Sequence, residues 1–496
     1  MGVSGATTLG RDAAIMSQIT TGASVGARPA TDETILNAVH AITDRVGELS
    51  SEITGVREAA DGAAADYESL MARAAEVKGR GLLYPYIGSG LGNGALVELA
   101  DGSVKWDMIC GIGVHFFGHS HPELVRASVG ASMEDVAKHG NLQTGVEAYR
   151  FGEVLLELAQ RKSNLKHAFV TTSGAMANES AIKVCYQKNY PASRVLAFKH
   201  CFMGRSVTMC QIGDSAAGRD GIPLTTQVDY MPFWNDDAVE AVGGEKRFID
   251  HACWRLQQAI DRYPKMHACF IFELVQGEGG FNTAPREFFT ALMDICKANN
   301  IAVWDDEIQS FGRTGEMFAY ETYDLGDYVD VFCVGKMTQA CATLYTEEYN
   351  PRGGLLSGTF TGAGQDFAVG TRILEFLRDG DYYGESGSIA KHHAAFRELV
   401  QGLKSRHPDW FPHVPFAGGD VAGAGIGGMM RFTPFGGDRA KVAAACKACF
   451  DEGVILFWCG HGPYHIRMLP PLGVMKVEDW PRVFECIERG LARAAG

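Results

Sequence analysis

Lys336 closes the apolar run VDVFCVGK, and thirty positions earlier the apolar run IAVWDDEIQ ends in Asp306. An amine and a carboxylate at the ends of two buried strands are the pair that pyridoxal phosphate chemistry needs: the amine condenses with an aldehyde, and the anion keeps a pyridine nitrogen protonated so that the ring accepts electrons. A lysine that is desolvated or set beside another cation loses its proton readily, which makes it a nucleophile first and a base afterwards. Gln309, three residues after Asp306, is placed to hydrogen-bond the phenolic oxygen of such a ring. The plainer alternatives are a lysine that snorkels from an edge strand and an acidic cluster, Asp306 with Glu307, that caps a helix. The long apolar lead-in to each residue favours buried sites.

Two further groups of residues suit the same ligand and its substrates. In TTSGAMANES a strand (HAFVTT) gives way to Ser173, Gly174 and Ala175 and then to a helix with Ile182 and Cys185 on its buried side, so that backbone N–H groups and the helix dipole converge over the turn. That arrangement seats a phosphate, although a Ser-Gly turn capping an ordinary helix has the same pattern. Arg205 in CFMGRS and Arg467 in GPYHIRMLPP stand alone in apolar surroundings and suit bidentate capture of carboxylates, and Glu278 in ELVQGEGG sits among glycines where it could pair with one of them. Structural ion pairing is the alternative for these three.

The elements that position these residues follow from periodicity. From about residue 165 onward short apolar strands alternate with helical patterns: HAFVTT, RVLAFK, MHACFIFELV, IAVWDDEI and VDVFCVGK, with ANESAIKVCYQKN and PREFFTALMDICKANN between them. Such alternation predicts an α/β fold, a mostly parallel sheet covered by helices whose ligands lie beyond the carboxyl ends of the strands. Upstream, residues 1–30 are rich in Gly, Ala, Ser and Thr without periodicity and read as a flexible tail. Residues 31–75 read as a helical extension: Ile35, Val39, Ile42, Val46, Leu49, Ile53 and Val56 form a heptad seam, with Thr31 or Asp32 as N-cap. Gly47 and Gly55 each weaken that helix by about 1 kcal/mol relative to Ala. Packing on its own subunit and pairing with another subunit are both compatible with the seam.

Composition narrows the partners. With 496 residues, 46% hydrophobic content and 60 glycines, the chain has material for more than one domain. A net charge of −14 argues against nucleic acid and anionic membranes while leaving a small anionic ligand open. The 13 cysteines are scattered, several within apolar runs (Cys269, Cys333), and read as small buried hydrophobes in a reducing compartment, hence a cytoplasmic location. Cys446 and Cys449 form a lone CxxC inside a helical stretch, which reads as helix packing. Neither a signal peptide nor a run long enough to span a bilayer is evident, and Ala6 breaks the myristoylation pattern. Gly423, Gly425 and Gly428 match GxGxxG, but MMRFTP after them reads as a strand, so no dinucleotide site is expected; His115, His119 and His121 lack acidic or cysteine partners nearby, so no metal is expected either.

Taken in order, these segments resemble the class III pyridoxal phosphate aminotransferases, the ornithine and 4-aminobutyrate type. GIGVHFFGHSHPELV is similar to the family's GIAVNxxGHxHP, SGAMANESAIK to SGxEAxExAIK, CFMGR to FHGR, FELVQGEGG to EPxQGEGG, and DDEIQSFGRTG to DEVQTGFGRTG. SGTFTG and HIRMLPPL complete the set. The resemblance spans roughly residues 80–480. It implies PLP fold type I, a large cofactor-binding domain over 116–375, a smaller α+β domain built from 76–115 and 376–496, and at least a homodimer.

For the site, the resemblance implies that Lys336 holds pyridoxal 5′-phosphate, Asp306 and Gln309 contact its ring, Phe202 stacks on it, and Ser173, Gly174 and Ala175 bind its phosphate. Thr359 would reach the phosphate of a neighbouring subunit. Arg205 would hold a substrate carboxylate, and Arg467 would bind 2-oxoglutarate and be masked by Glu278 while an amino donor is bound. Ala175, Met203 and Leu274 depart from the family pattern, and DDEIQSFGRTG is one residue short. GKMTQAC after the lysine resembles the GKKTQVC of lysine 6-aminotransferases. The expected reaction carries the terminal amine of lysine, ornithine, 4-aminobutyrate or a similar ω-amino acid to 2-oxoglutarate. An aminomutase or racemase of the same fold is the alternative.

Overall fold

The computed structural model describes residues 24–133, 135 and 138–496. Residues 1–23 of the expected tail lie outside that range, and the end of it, Val25–Ala30, is a short 3-10 helix. Helix α1 (Glu33–Ser51) begins where the sequence offers a cap, because the Asp32 side chain accepts the N–H groups of Thr34 and Ile35 at 3.0 and 3.1 Å. It packs against the chain's own helix Pro122–Ala131 and strand Gly88–Asn93. One column of the heptad seam faces that contact: Val39 and Ile53 are buried and Val46 half-buried. The other column, Ile42, Leu49 and Val56, remains exposed. Packing on its own subunit therefore accounts for half of the seam, and the helix stops at Ser51, short of Gly55 and Val56.

The large sheet has seven strands: β1 (Leu165–Thr171), β2 (Arg194–Phe198), β3 (Gln227–Met231), β4 (His267–Phe272), β5 (Ala302–Asp306), β6 (Val331–Val334) and β7 (Cys341–Thr346). Their order is β1-β7-β6-β5-β4-β2-β3, parallel except where β7 runs antiparallel to both β6 and β1. Both faces are covered. Ile271 of β4 joins one core layer, with Trp304, Val331 and helix α2 (Gly174–Lys188), while Phe270 and Phe272 join the opposite layer with Val303 and Phe332. This two-residue alternation between two apolar layers explains why the central strands are apolar along their whole length.

The smaller unit is assembled from both ends of the chain. Strand Val104–Asp107 pairs in parallel with Val454–Ile455 and antiparallel with Leu96–Leu99. A second four-stranded sheet contains Ala424–Ile426, β8 (Met429–Phe432) and β9 (His465–Met468), with Arg467 of β9 opposite Arg431 of β8. MMRFTP thus forms a strand after the GxGxxG match, as its pattern suggested. Helix α3 (Ser388–Arg406) packs on this unit, and Cys446 and Cys449 are buried in helix Arg439–Asp451.

Candidate active site

Strands β5 and β6 are parallel neighbours with Asp306 opposite Cys333, so Asp306 and Lys336 emerge side by side at the carboxyl edge of the sheet. Lys336 starts a 3-10 turn with φ +53°, a left-handed conformation that costs a non-glycine residue about 1–3 kcal/mol and marks a constrained position. Its amine makes no hydrogen bond or ion pair with a described residue. Burial lowers its pKa to about 8, the Arg467 cation adding to the effect and the Glu278 and Asp306 carboxylates opposing it. A buried amine that close to neutrality is both nucleophile and base.

Asp306 is buried, and its oxygens accept from Asn178 Nδ2 at 2.7 Å and from the Ile308 N–H at 3.0 Å. Burial pushes its carboxyl up to about 6 against those two donors and Lys336. A cation placed against it would complete the charge balance. Asn178 was not singled out from the sequence. It stands on α2 four residues before Ile182, on the same buried face, and a polar residue in that stripe was the signal to follow.

Ser173 is the N-cap of α2, its hydroxyl accepting the Met176 N–H at 3.3 Å, with Gly174 and Ala175 in the first turn. A Cβ at Gly174 would meet Ile308 at 2.9 Å, so the turn lies directly against the segment that follows Asp306. Phe202 is fixed by its backbone N–H, which donates to Glu273 at 2.9 Å, and Arg205 holds its guanidinium 5.3 Å from the Phe202 ring. Glu273, buried and also missed from the sequence, has its carboxyl raised to about 8 by burial and by Asp306. Arg205 is exposed and makes no ion pair with a described residue.

On the far side, Arg467 has no exposed surface and grips Glu278 at 2.8 and 3.0 Å. Gln309 joins them, accepting from Arg467 at 3.3 Å and donating to Glu278 at 3.5 Å. Burial alone would raise the Glu278 carboxyl, but the guanidinium outweighs it and holds the group below the usual range. The expected pairing of Glu278 with Arg467 is therefore present in this chain.

Thr359 stands apart from the rest. It is exposed, in the loop that accepts the Asn141 N–H at Gly358 O, 2.9 Å away. His119 lies against Asp107 at 2.9 Å, and no cluster of metal-ligating residues occurs among the described residues. No described helix is long and apolar enough to cross a membrane. Cys110, Gly111, Ile112 and Gly113 all adopt positive φ, with the β-branched Ile112 at +63°, and this left-handed turn packs against the Lys336 turn.

A third buried acid group lies on the opposite face of β5. Asp305 and Glu307 alternate with Asp306, and neither has exposed surface. Glu307 accepts the N–H groups of Ala319 and Tyr320 at 2.7 and 2.9 Å, whereas neither oxygen of Asp305 meets a donor. Burial pushes Asp305 well above the carboxylate range, and Glu307 up to about 8. A protonated Asp305 donating to Glu307 satisfies both groups.

A mostly parallel sheet with a lysine and an aspartate at adjacent carboxyl ends is the architecture of fold type I pyridoxal phosphate enzymes. The family model of class III aminotransferases matches residues 87–491, and the chain belongs to that family. An acetylornithine aminotransferase of Methanocaldococcus jannaschii is 33% identical over 241 residues, 47% of this chain and 54% of that relative. A diaminobutyrate–2-oxoglutarate transaminase of Wolinella succinogenes is 27% identical over 390 residues, 76% of this chain and 86% of its own. Among solved structures, a lysine aminotransferase from M. tuberculosis shares the fold with TM-score 0.72 at 21% identity, over 86% of this chain and 99% of that one.

Enzymes of this family depend on pyridoxal 5′-phosphate. The residues here fit that group: an unpartnered amine at Lys336, a buried carboxyl at Asp306 in no ion pair with a described residue, and a helix N-terminus at Ser173–Ala175 pressed against Ile308.

Proposed function

We propose that the protein transfers the terminal amine of an ω-amino acid, of the lysine, ornithine or 4-aminobutyrate kind, to 2-oxoglutarate in a ping-pong reaction. The observation that carries this reading is the Lys336 amine, free of partners, with the Asp306 carboxyl on one side and the Glu278–Arg467 pair on the other. Pyridoxal 5′-phosphate, when bound, supplies the aldehyde that captures the amine and the ring that accepts the electron pair left on the substrate carbon.

The chain's residues do the rest. Lys336 would hold the cofactor through its amine and would serve as the base that moves a proton at the substrate carbon. Asp306, oriented by Asn178, would keep a proton on the ring nitrogen. Phe202, held through Glu273, would cover a ring face, and Gln309 would hydrogen-bond the phenolic oxygen. Ser173, Gly174 and Ala175 would bind the phosphate, joined by Thr359 of a neighbouring copy.

Arg205, lacking an acidic partner, grips the carboxylate at the far end of the donor. Glu278 neutralises Arg467 while an uncharged end of the donor lies there, and releases it when 2-oxoglutarate presents a carboxylate.

A homodimer is supported by the apolar side chains left exposed around the phosphate seat and Thr359, namely Met176, Val207 and Phe360, with Leu142 and Tyr149 on the segment that the Thr359 loop contacts. All thirteen cysteines are unpaired, which supports a cytoplasmic home. A panel of donors assayed for glutamate formed from 2-oxoglutarate tests the reading. Turnover of a single amino acid without any acceptor would instead point to an isomerase.

A further inference from the structure

A cleft of about 650 Å³ lies between the two units of the fold, walled by the turn after Arg313, by Gly384–Glu385, by one stripe of α3 and by Ile426–Gly427. Neither Lys336, Asp306, Glu278 nor Arg467 lines it. On α3 the lining residues are Ile389 and Ala390, His393 and Ala394, then Arg397, one above another at helical spacing. The two alanines keep the groove open between the larger side chains.

Its charged side chains are left without partners among the described residues. Arg397, Glu316 and Glu385 make no side-chain hydrogen bond or ion pair with any described residue. His393 Nδ1 lies 2.7 Å from the Gly427 carbonyl, an acceptor only, so the proton sits on Nδ1 and Nε2 presents a lone pair. Burial and the neighbouring Arg397 lower the His393 pKa, keeping the ring neutral. The cleft thus offers one cation, two carboxylates and one neutral acceptor above an apolar strip of Ile389 and Ile426. One positive and two negative groups leave a net charge of −1, which complements a ligand with one carboxylate and two ammonium groups.

We propose that this cleft binds a free diamino acid, its carboxylate on Arg397 and its two ammonium groups on Glu316, Glu385 and His393 Nε2, as an effector site separate from the catalytic one. The geometry gives the occupant leverage on the enzyme. Gly428 N–H donates to Arg313 O at 2.7 Å and Gly384 N–H to Gly315 O at 3.0 Å, so the walls are the segments that tie the smaller unit to the turn following Gln309. A ligand spanning them holds the two units together and lowers KM without touching the reacting atoms.

The test uses holoenzyme whose cofactor aldehyde is capped with an O-alkyl hydroxylamine, so that the Lys336 site is blocked and binding is read independently of the donor used there. Calorimetric titration with L-lysine is expected to show one saturable site per chain. L-norleucine, without the second ammonium, and 1,5-diaminopentane, without the carboxylate, should bind at least about tenfold more weakly. Arg397→Ala should weaken L-lysine by about tenfold or more and leave 1,5-diaminopentane unchanged, and Ala390→Trp, which fills the groove, should abolish binding. Both variants should keep wild-type turnover when no diamino acid is added. Absence of a saturable site in the capped enzyme, or equal affinity of wild type and both variants for L-lysine, overturns the proposal. If 1,5-diaminopentane binds as tightly as L-lysine, the carboxylate contact is wrong and the assignment of a diamino acid falls with it.

Discussion

Arg467 and Glu278 are locked in a two-point ion pair, at 2.8 and 3.0 Å, in which the arginine has no exposed surface and the carboxylate remains half-buried. Removing either partner leaves the other as an uncompensated charge near Lys336, so each half of the reaction should respond differently. Glu278→Ala should slow the half-reaction with an ω-amino donor while leaving glutamate as good a donor or better. Arg467→Ala should do the reverse, losing a contact worth about 1.5–3 kcal/mol with 2-oxoglutarate. Single-turnover rates for each half decide it, and equal slowing of both halves by both variants would sink the gate.

Asp306 depends on Asn178. Asp306→Asn should cut turnover by more than about tenfold, since an unprotonated ring is a poor electron sink. Asn178→Leu removes a donor that holds the Asp306 carboxyl down, so burial then raises that group further and weakens cofactor binding. Equilibrium dialysis of the cofactor against the Asn178→Leu protein checks this. Unchanged affinity would mean that Asn178 only fills space.

The buried acids set a pH dependence of stability. Glu273 and Glu307 are each raised to about 8 by burial, and Asp305 is raised well beyond the carboxylate range. The folded protein therefore holds protons that the unfolded chain releases above its ordinary carboxyl range. Their stabilising effect is complete at acid pH and is lost as pH rises through about 8. Thermal midpoints measured between about pH 6 and pH 9 should fall with rising pH. Asp305→Asn, which can donate to Glu307 at any pH, should flatten that slope; a slope identical to wild type would remove Asp305 from the account.

The exposed apolar groups near Thr359 predict an assembly of at least two chains. Sedimentation should show a dimer or a larger oligomer, and an active monomer would refute a shared phosphate site. Removing residues 1–57 deletes α1 and the segment after it, on which Ile42, Leu49 and Val56 are exposed, and should leave the dimer and its activity intact. An inactive monomeric truncation would show that the extension is integral to the core.

The sheet and its chemistry were legible because each strand is an apolar run ending in a residue that a buried strand does not tolerate without purpose, as at Asp306 and Lys336. Glu278 and Arg467 were legible for the same reason, being charges isolated among glycine or apolar residues. Asn178, Glu273 and Asp305 were not. Asn178 pairs with Asp306 and Glu273 with the Phe202 N–H, 128 and 71 residues away, and sequence periodicity carries no information about such pairings, while Asp305 turns into the core on the face of β5 opposite Asp306. The heptad seam shows the opposite limit: the pattern marked the helix that ends at Ser51 but ran on to Val56 beyond it, and Val39, Val46 and Ile53 are covered within the chain while Ile42 and Leu49 are exposed.

The most direct test is amino-group transfer by Lys336→Ala, measured as isotope-labelled nitrogen moved from the preferred donor to glutamate with cofactor in excess. The loss should be at least about a hundredfold, the low end for removing a positioned proton-transfer group, and the band of cofactor bound through the lysine should vanish with it. Turnover within about tenfold of wild type would contradict the assignment of Lys336 and the chemistry built on it.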